Sequence, residues 1–299
     1  MTDTLTPEGL TTVAAARRLK HPGPPTPLRR ESHAGPVLGG QVTLRPGQSL
    51  AAAVGEVAAT LGITAGAINL TGASLSPVRY VMPTYARTLD HVAYYSDTYA
   101  VDAGFVIEFA TATFGFRDGE PFLHCHALWR NVKGELCGGH ILPLDTMLAA
   151  PLTTHFLGTN TVEMRAEFDP ETNFTLFRPF QKQPGEGKLV VAHIRPNEDF
   201  VTAIERIAVA HGVEHGRIIS GIGSTVGVVF EDGLIVSEIP TELLITDGYI
   251  TPGPGSMPQV DVEMILIDSS GNLHRGRPAR GQNPVLICAE IFIEILPAS

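Results

Sequence analysis

Leu44-Arg45-Pro46-Gly47-Gln48-Ser49-Leu50 and Ile194-Arg195-Pro196-Asn197-Glu198-Asp199-Phe200 are the stretches whose reading decides the fold. They stand 150 residues apart, and that spacing then holds without a gap: Val54 meets Ile204, Val57 meets Ile207, Gly62 meets Gly212 and Gly66 meets Gly216. Further on, Gly134, Leu136 and Gly139 meet Gly271, Leu273 and Gly276 at a spacing of 137. The slip between the blocks falls where the first copy carries a long segment around Pro77 to Ala103. A fixed internal period means one structural unit used repeatedly. The expected organisation is two tandem copies, 36–181 and 186–299, behind an arm spanning 1–35.

Each copy opens alike. A short strand (Gln41–Leu44; Lys188–Ile194) leads into a helix with apolar residues at i, i+4 and i+7: Leu50, Val54 and Val57, then Phe200, Ile204 and Ile207. Asn197 ahead of Glu198 and Asp199 is the expected N-cap of the second helix, and Gly62 and Gly212 suit left-handed C-caps. The runs Gly66–Gly72 and Arg217–Gly223 read as buried strands, and the residues beyond each run are rich in β-branched and aromatic types with short turns between them. The fold class is α+β: one main helix on a mostly antiparallel sheet, twice.

The chain has 299 residues, 21 Lys+Arg against 31 Asp+Glu, and 43% hydrophobic residues. That composition excludes global disorder, and a net charge of −10 opposes whole-surface binding to nucleic acid or anionic membrane. Three cysteines fit a reducing, cytoplasmic setting, and neither a secretory leader nor an apolar run long enough for a membrane span is evident. The arm is Pro-rich and basic, so it reads as extended: a disordered tail, or a strap around an acidic neighbouring subunit.

The chemistry concentrates in Glu120-Pro121-Phe122-Leu123-His124-Cys125-His126-Ala127-Leu128-Trp129 and Cys137-Gly138-Gly139-His140. Residues i and i+2 of a strand share a face, so His124 and His126 project together while Cys125 turns into the core. Asn131 to Glu135 reads as a hairpin turn that brings His140 alongside. For His140 to share the face, either the loop holds an odd number of residues or a bulge, expected at Gly138-Gly139, corrects the parity. A lone strand histidine is ordinarily just hydrogen-bonded. Three imidazoles converging with a fourth position open make a zinc-type site, although nickel, copper and iron accept the same donors.

These residues, with Gly66–Ser74 and Phe168-Asp169-Pro170-Glu171-Thr172-Asn173-Phe174, resemble the PPC (plant and prokaryote conserved) domain, strongly over 36–181 and weakly over 186–299. The resemblance implies an α+β domain that assembles as homotrimers, with His124, His126 and His140 as a metal site. The fold is also similar to that of acetolactate decarboxylase, a three-histidine zinc enzyme. In the second copy, Asp261, Glu263 and Arg277 replace the histidines, a self-neutralising cluster in place of a cation, so one metal per chain is expected. Arg275-Gly276-Arg277-Pro278 spells the core of an AT-hook, but it falls inside the folded copy and reads as strand, not as a DNA-binding arm.

Glu108 is a candidate general base or fourth ligand, with a paired surface carboxylate as its ordinary role. Arg79, Tyr85 and Arg87 of the long segment are candidates for binding an anionic substrate, or simply solvate a loop. Cys137 is a candidate reactive thiol beside the histidines. Two uses are open: an oligomeric, regulatory small-ligand module, or a zinc-dependent enzyme acting on a small carbonyl or carboxylate compound. An open coordination position beside a cavity is what the enzyme requires; a closed, fully ligated site would exclude it.

Overall fold

The computed structural model describes residues 17–297, so the first part of the expected arm lies outside the described residues. Helix α1 spans Leu50–Leu61: Ser49 caps it by accepting from the Ala52 amide, and Gly62 closes it at φ 70°. Helix α2 spans Phe200–Ala210 and is capped by Asp199, whose carboxylate accepts from the Thr202 amide. Asn197, the expected cap, sits instead at φ 64°. Its amide side chain bonds the backbone of Leu19 in both directions, at 2.8 Å each.

Each helix covers one sheet. In the first sheet the strands Leu38–Leu44, Leu152–Thr159, Ala65–Asn69, Phe105–Arg117, Glu120–Arg130 and Leu136–Ile141 lie side by side in that order. In the second the order is Leu189–Ile194, Val285–Ile295, Gly216–Thr225, Thr241–Pro252, Pro258–Asp268 and Leu273–Gly276. Within these sets of six strands one order recurs: the first lies beside the last, followed by the second to fifth in sequence, while Val78–Val81 and Tyr99–Val101 extend the first sheet beyond them. Nearly all pairings are antiparallel; the exception joins Arg165 and Ala166 to Phe116 and Arg117.

Strand alternation divides the core. Leu123, Cys125 and Trp129 point to α1 with Leu50 and Val54, and Val262 and Met264 point to α2 with Phe200 and Ile204. The opposite faces of the two sheets meet, with Leu128 of the first packed among Ile222, Leu244, Ile265 and Ile267 of the second. The molecule is therefore layered helix–sheet–sheet–helix, and the face carrying His124 and His126 is turned toward the second sheet.

The described part of the arm lies on its own chain. Arg30–Gly35 adds an edge strand to the second sheet, antiparallel to Leu189–Ile194. Glu31 then accepts from Arg178 and from the buried Arg195, and Arg195 also reaches Asp169 at 2.8 Å. Arg29 pairs with Glu171 at 2.7 Å. A Pro-rich stretch cannot build a core, but its last residues complete one by supplying a strand and an acid. No helix among the described residues is long and apolar enough to cross a membrane.

Candidate metal site between the two sheets

The histidine strand Glu120–Arg130 turns at Asn131, whose side chain accepts from the Lys133 and Glu135 amides, and Gly134 takes the left-handed corner at φ 78°. The return strand pairs His140 with His126, and the register runs unbroken to Arg130 opposite Leu136. The five-residue turn therefore supplies the odd count, and the bulge expected at Gly138-Gly139 is absent. Those glycines answer to close packing. A Cβ on Gly138 would stand 2.7 Å from Ile267 and 2.8 Å from Leu128, and one on Gly139 would stand 3.0 Å from the Tyr80 ring. Gly138→Ala is thus expected to cost about 1–3 kcal/mol by overpacking, read as a lowered denaturant midpoint at unchanged slope.

His124, His126 and His140 present ligand atoms all within 4.8 Å of one another. The second sheet fixes two of the rings. His124 Nδ1 donates to Glu290 Oε1 at 2.9 Å, and His126 Nδ1 donates to the Leu243 carbonyl at 2.8 Å. A carbonyl only accepts, so the proton of neutral His126 sits on Nδ1 and its Nε2 is a bare acceptor. The Nε2 atoms of His124 and His126 face each other at 3.1 Å. Burial, and then the neighbouring His124, pushes His126 down to about 3, so it stays neutral. His140 is lowered in the same way.

Glu242 completes the surround. Its Oε1 lies 3.9 Å from His126 Nε2 and 3.8 Å from His140 Nδ1, and burial pushes its carboxyl well up. Glu242 Oε2, Glu290 Oε2 and His140 Nδ1 are buried without a hydrogen-bond partner. The Tyr95 ring stands across His140, centroids 5.2 Å apart. A cavity of about 390 Å³ opens onto this cluster, bounded also by Arg117, Phe122 and Phe174.

The other sequence candidates lie elsewhere. Glu108 pairs with Arg130 at 2.9 Å on the exposed surface, and it does not line the cavity. Arg79 pairs with Asp102 at 2.8 Å and Arg87 with Asp97 at 3.6 Å, both outside the cavity, as is Tyr85. The long segment does reach the site, but through Pro83, His91, Tyr94 and Tyr95. Cys125 is buried, its thiol pushed up to about 12 by burial. Cys137, three residues before His140, falls on the opposite face of its strand and packs toward the α1 core. Asp261 pairs with Arg277 at 2.6 Å, while Glu263 pairs with Arg275 at 2.8 Å, so both arginines of the AT-hook-like tetrapeptide are neutralised within the fold. The sequence reading missed Glu242, Glu290 and Arg117. For the two glutamates a signal existed: Glu242 precedes Leu243-Leu244-Ile245 and Glu290 stands between Ala289 and Ile291, apolar surroundings that an unpaired carboxylate rarely occupies.

Residues 181–297 match the family described as the Plants and Prokaryotes Conserved (PCC) domain. The match falls on the half whose resemblance was the weaker, downstream of the three histidines. Among solved structures, a PPC protein of Pyrococcus horikoshii is similar at 15% identity and TM-score 0.38, covering 50% of this chain and 96% of its own. A metal-containing protein of Archaeoglobus fulgidus is similar at 21% identity and TM-score 0.35, with coverage of 50% and 96%. A candidate DNA-binding protein of Ralstonia eutropha is similar at 14% identity and TM-score 0.34, with coverage of 46% and 89%. No curated protein matches the chain.

Proposed function

We propose that the chain is a tandem pair of PPC-type domains that binds one transition-metal ion, zinc by its donor set, through His124, His126 and His140. The observation that carries this reading is the convergence of three imidazoles whose ligand atoms lie within 4.8 Å of one another, with the Nε2 atoms of His124 and His126 3.1 Å apart. Two imidazole nitrogens approach this closely when a shared proton or a metal ion lies between them. A tetrahedral zinc with bonds of about 2.0–2.1 Å asks for nitrogens roughly 3.3 Å apart, close to what the rings offer. Three further buried polar atoms, on His140, Glu242 and Glu290, lack partners around the same point, and orphaned groups of this kind call for an ion or water.

The tandem reading is supported by the shared strand order of the two sheets. It also gives the second copy a purpose. Having lost its own histidines, it contributes Glu290, which orients His124, and Glu242, which faces His126 and His140. Both halves of one chain build the site, so the trimer that the resemblance implies is not required for it.

Between the two uses, the geometry favours the enzyme acting on a small carbonyl or carboxylate compound. The cluster opens onto a cavity, and Glu242 is the acid–base group that the histidine motif lacked. A bound zinc ion supplies Lewis acidity at such a site. Glu242, kept protonated by burial, holds a proton at its carboxyl next to the reacting space. Elemental analysis of the purified protein is expected to return about one equivalent of metal per chain, as a single open three-ligand site requires. Two equivalents, or none after supplementation with zinc, would overturn the reading.

A further inference from the structure

We infer that the cavity receives a small organic anion whose carboxylate is held by Arg117, with its other polar end toward the histidines. This deepens the metal-site reading and rests on it for the second contact only. Arg117 closes the strand Phe105–Arg117 and stands opposite Glu120, four residues from His124 along the neighbouring strand. At about 3.3 Å per residue, that is a span of roughly 13 Å between Cα positions. The guanidinium folds back over the Phe122 ring, 5.5 Å from its centroid, which points it along the cavity toward His124 and shortens the gap. What remains between guanidinium and imidazoles suits a chain of a few carbons.

The charge of Arg117 is available. Among the described residues its nearest acid is Asp118, at 3.9 Å and almost fully exposed, a pairing that water and salt screen heavily. The other formally charged residues lining the cavity, histidines apart, are Glu242 and Glu290. A divalent cation at the histidines at least offsets these acids, which leaves the charge of Arg117 available to an anion. Phe122 lies between Glu120 and His124 on the histidine strand, and Phe174 and Phe177 line the same cavity, an apolar surface that suits a methylene chain. Cation at one end, apolar waist and polar cluster at the other describe a short aliphatic carboxylate carrying a second oxygen function. Arginine rather than lysine favours a carboxylate, because the guanidinium fork matches both oxygens.

Titration calorimetry with glutarate, a five-carbon dicarboxylate, tests the inference on the full chain in zinc-loaded and chelator-treated forms. Glutarate is expected to bind the zinc-loaded protein and butyrate to bind it more weakly. Arg117→Gln is expected to weaken glutarate by ~10-fold or more, the loss typical of a charge-assisted contact, with Arg117→Lys intermediate. Metal content should be unchanged in both variants, and because Arg117 is half-exposed their melting temperatures serve as the folding control. If Arg117→Gln binds glutarate as tightly as the parent, or the parent binds no glutarate in either form, the inference is wrong. The metal reading fails separately: a parent without zinc that still binds glutarate in an Arg117-dependent way keeps the anion site and removes the metal.

Discussion

Replacing Glu290 by alanine is expected to weaken zinc binding by ~10–100-fold, although Glu290 belongs to the second sheet and touches no metal. It accepts from His124 Nδ1 at 2.9 Å, which fixes the tautomer that turns the Nε2 lone pair inward and adds electron density to the ring. Without that acceptor the ring is free to rotate, and its Nδ1–H is left buried and unpaired. Glu290→Gln keeps an acceptor and loses the charge, so its loss should be smaller than that of alanine. His126→Ala removes a ligand outright and should exceed both. Competition against a chromophoric chelator ranks the three variants. An alanine variant at position 290 that competes as well as the parent would mean that the second half merely shelters the histidines. Glu242→Gln gives the complementary test: at 3.8–3.9 Å from two imidazoles it should alter affinity little and turnover strongly, once a substrate is in hand.

The reach of sequence reasoning depends on the range of each signal. His124, His126 and the turn to His140 were legible because strand alternation and hairpin parity act over neighbouring residues. The same parity puts Cys137 on the far face from His140, three residues on, so its exclusion from the site was available from the numbering alone. The helices were legible from their apolar spacing, but the cap of α2 was not. Asn197 has the right chemistry for the position, and only the arm residue Leu19 explains why its side chain is engaged elsewhere. Glu242 and Glu290 come from the other sheet, 116 and 166 residues beyond His126 and His124 respectively. No local periodicity reports such a contact. The long segment lines the cavity through residues other than the expected Arg79, Tyr85 and Arg87. Arg79 and Arg87 are engaged with Asp102 and Asp97, and Tyr94 and Tyr95 are the tyrosines of the segment that line the cavity.

The two arginines of the Leu44-Arg45-Pro46 and Ile194-Arg195-Pro196 pair carry the second large effect. Arg45 is 79% exposed and pairs with Glu56, and its loss should change stability by less than about 1 kcal/mol. Arg195 is 2% exposed and binds Glu31 of the arm and Asp169 of the first half at 2.9 and 2.8 Å. Arg195→Met keeps the stem and removes the charge, leaving two buried carboxylates short of a cation. The expected cost is about 3–5 kcal/mol, read as a fall in the denaturant midpoint. The pH dependence separates charge from packing. Burial alone would raise Glu31 and Asp169, but the arginines outweigh it: Arg178 with Arg195 holds Glu31 below its ordinary value, and Arg195 with Thr172 does the same for Asp169. Folded-state values below the unfolded ones mean stability that is present above about pH 4–5 and lost as pH falls through the depressed values. In Arg195→Met the burial of Asp169 is opposed only by the Thr172 hydrogen bonds, so its carboxyl rises and takes up a proton as the pH drops, which relieves the variant. The stability gap between parent and variant should therefore narrow from pH 7 toward about pH 4. A gap that stays constant across that interval would show that Arg195 acts by filling space and not by its charge.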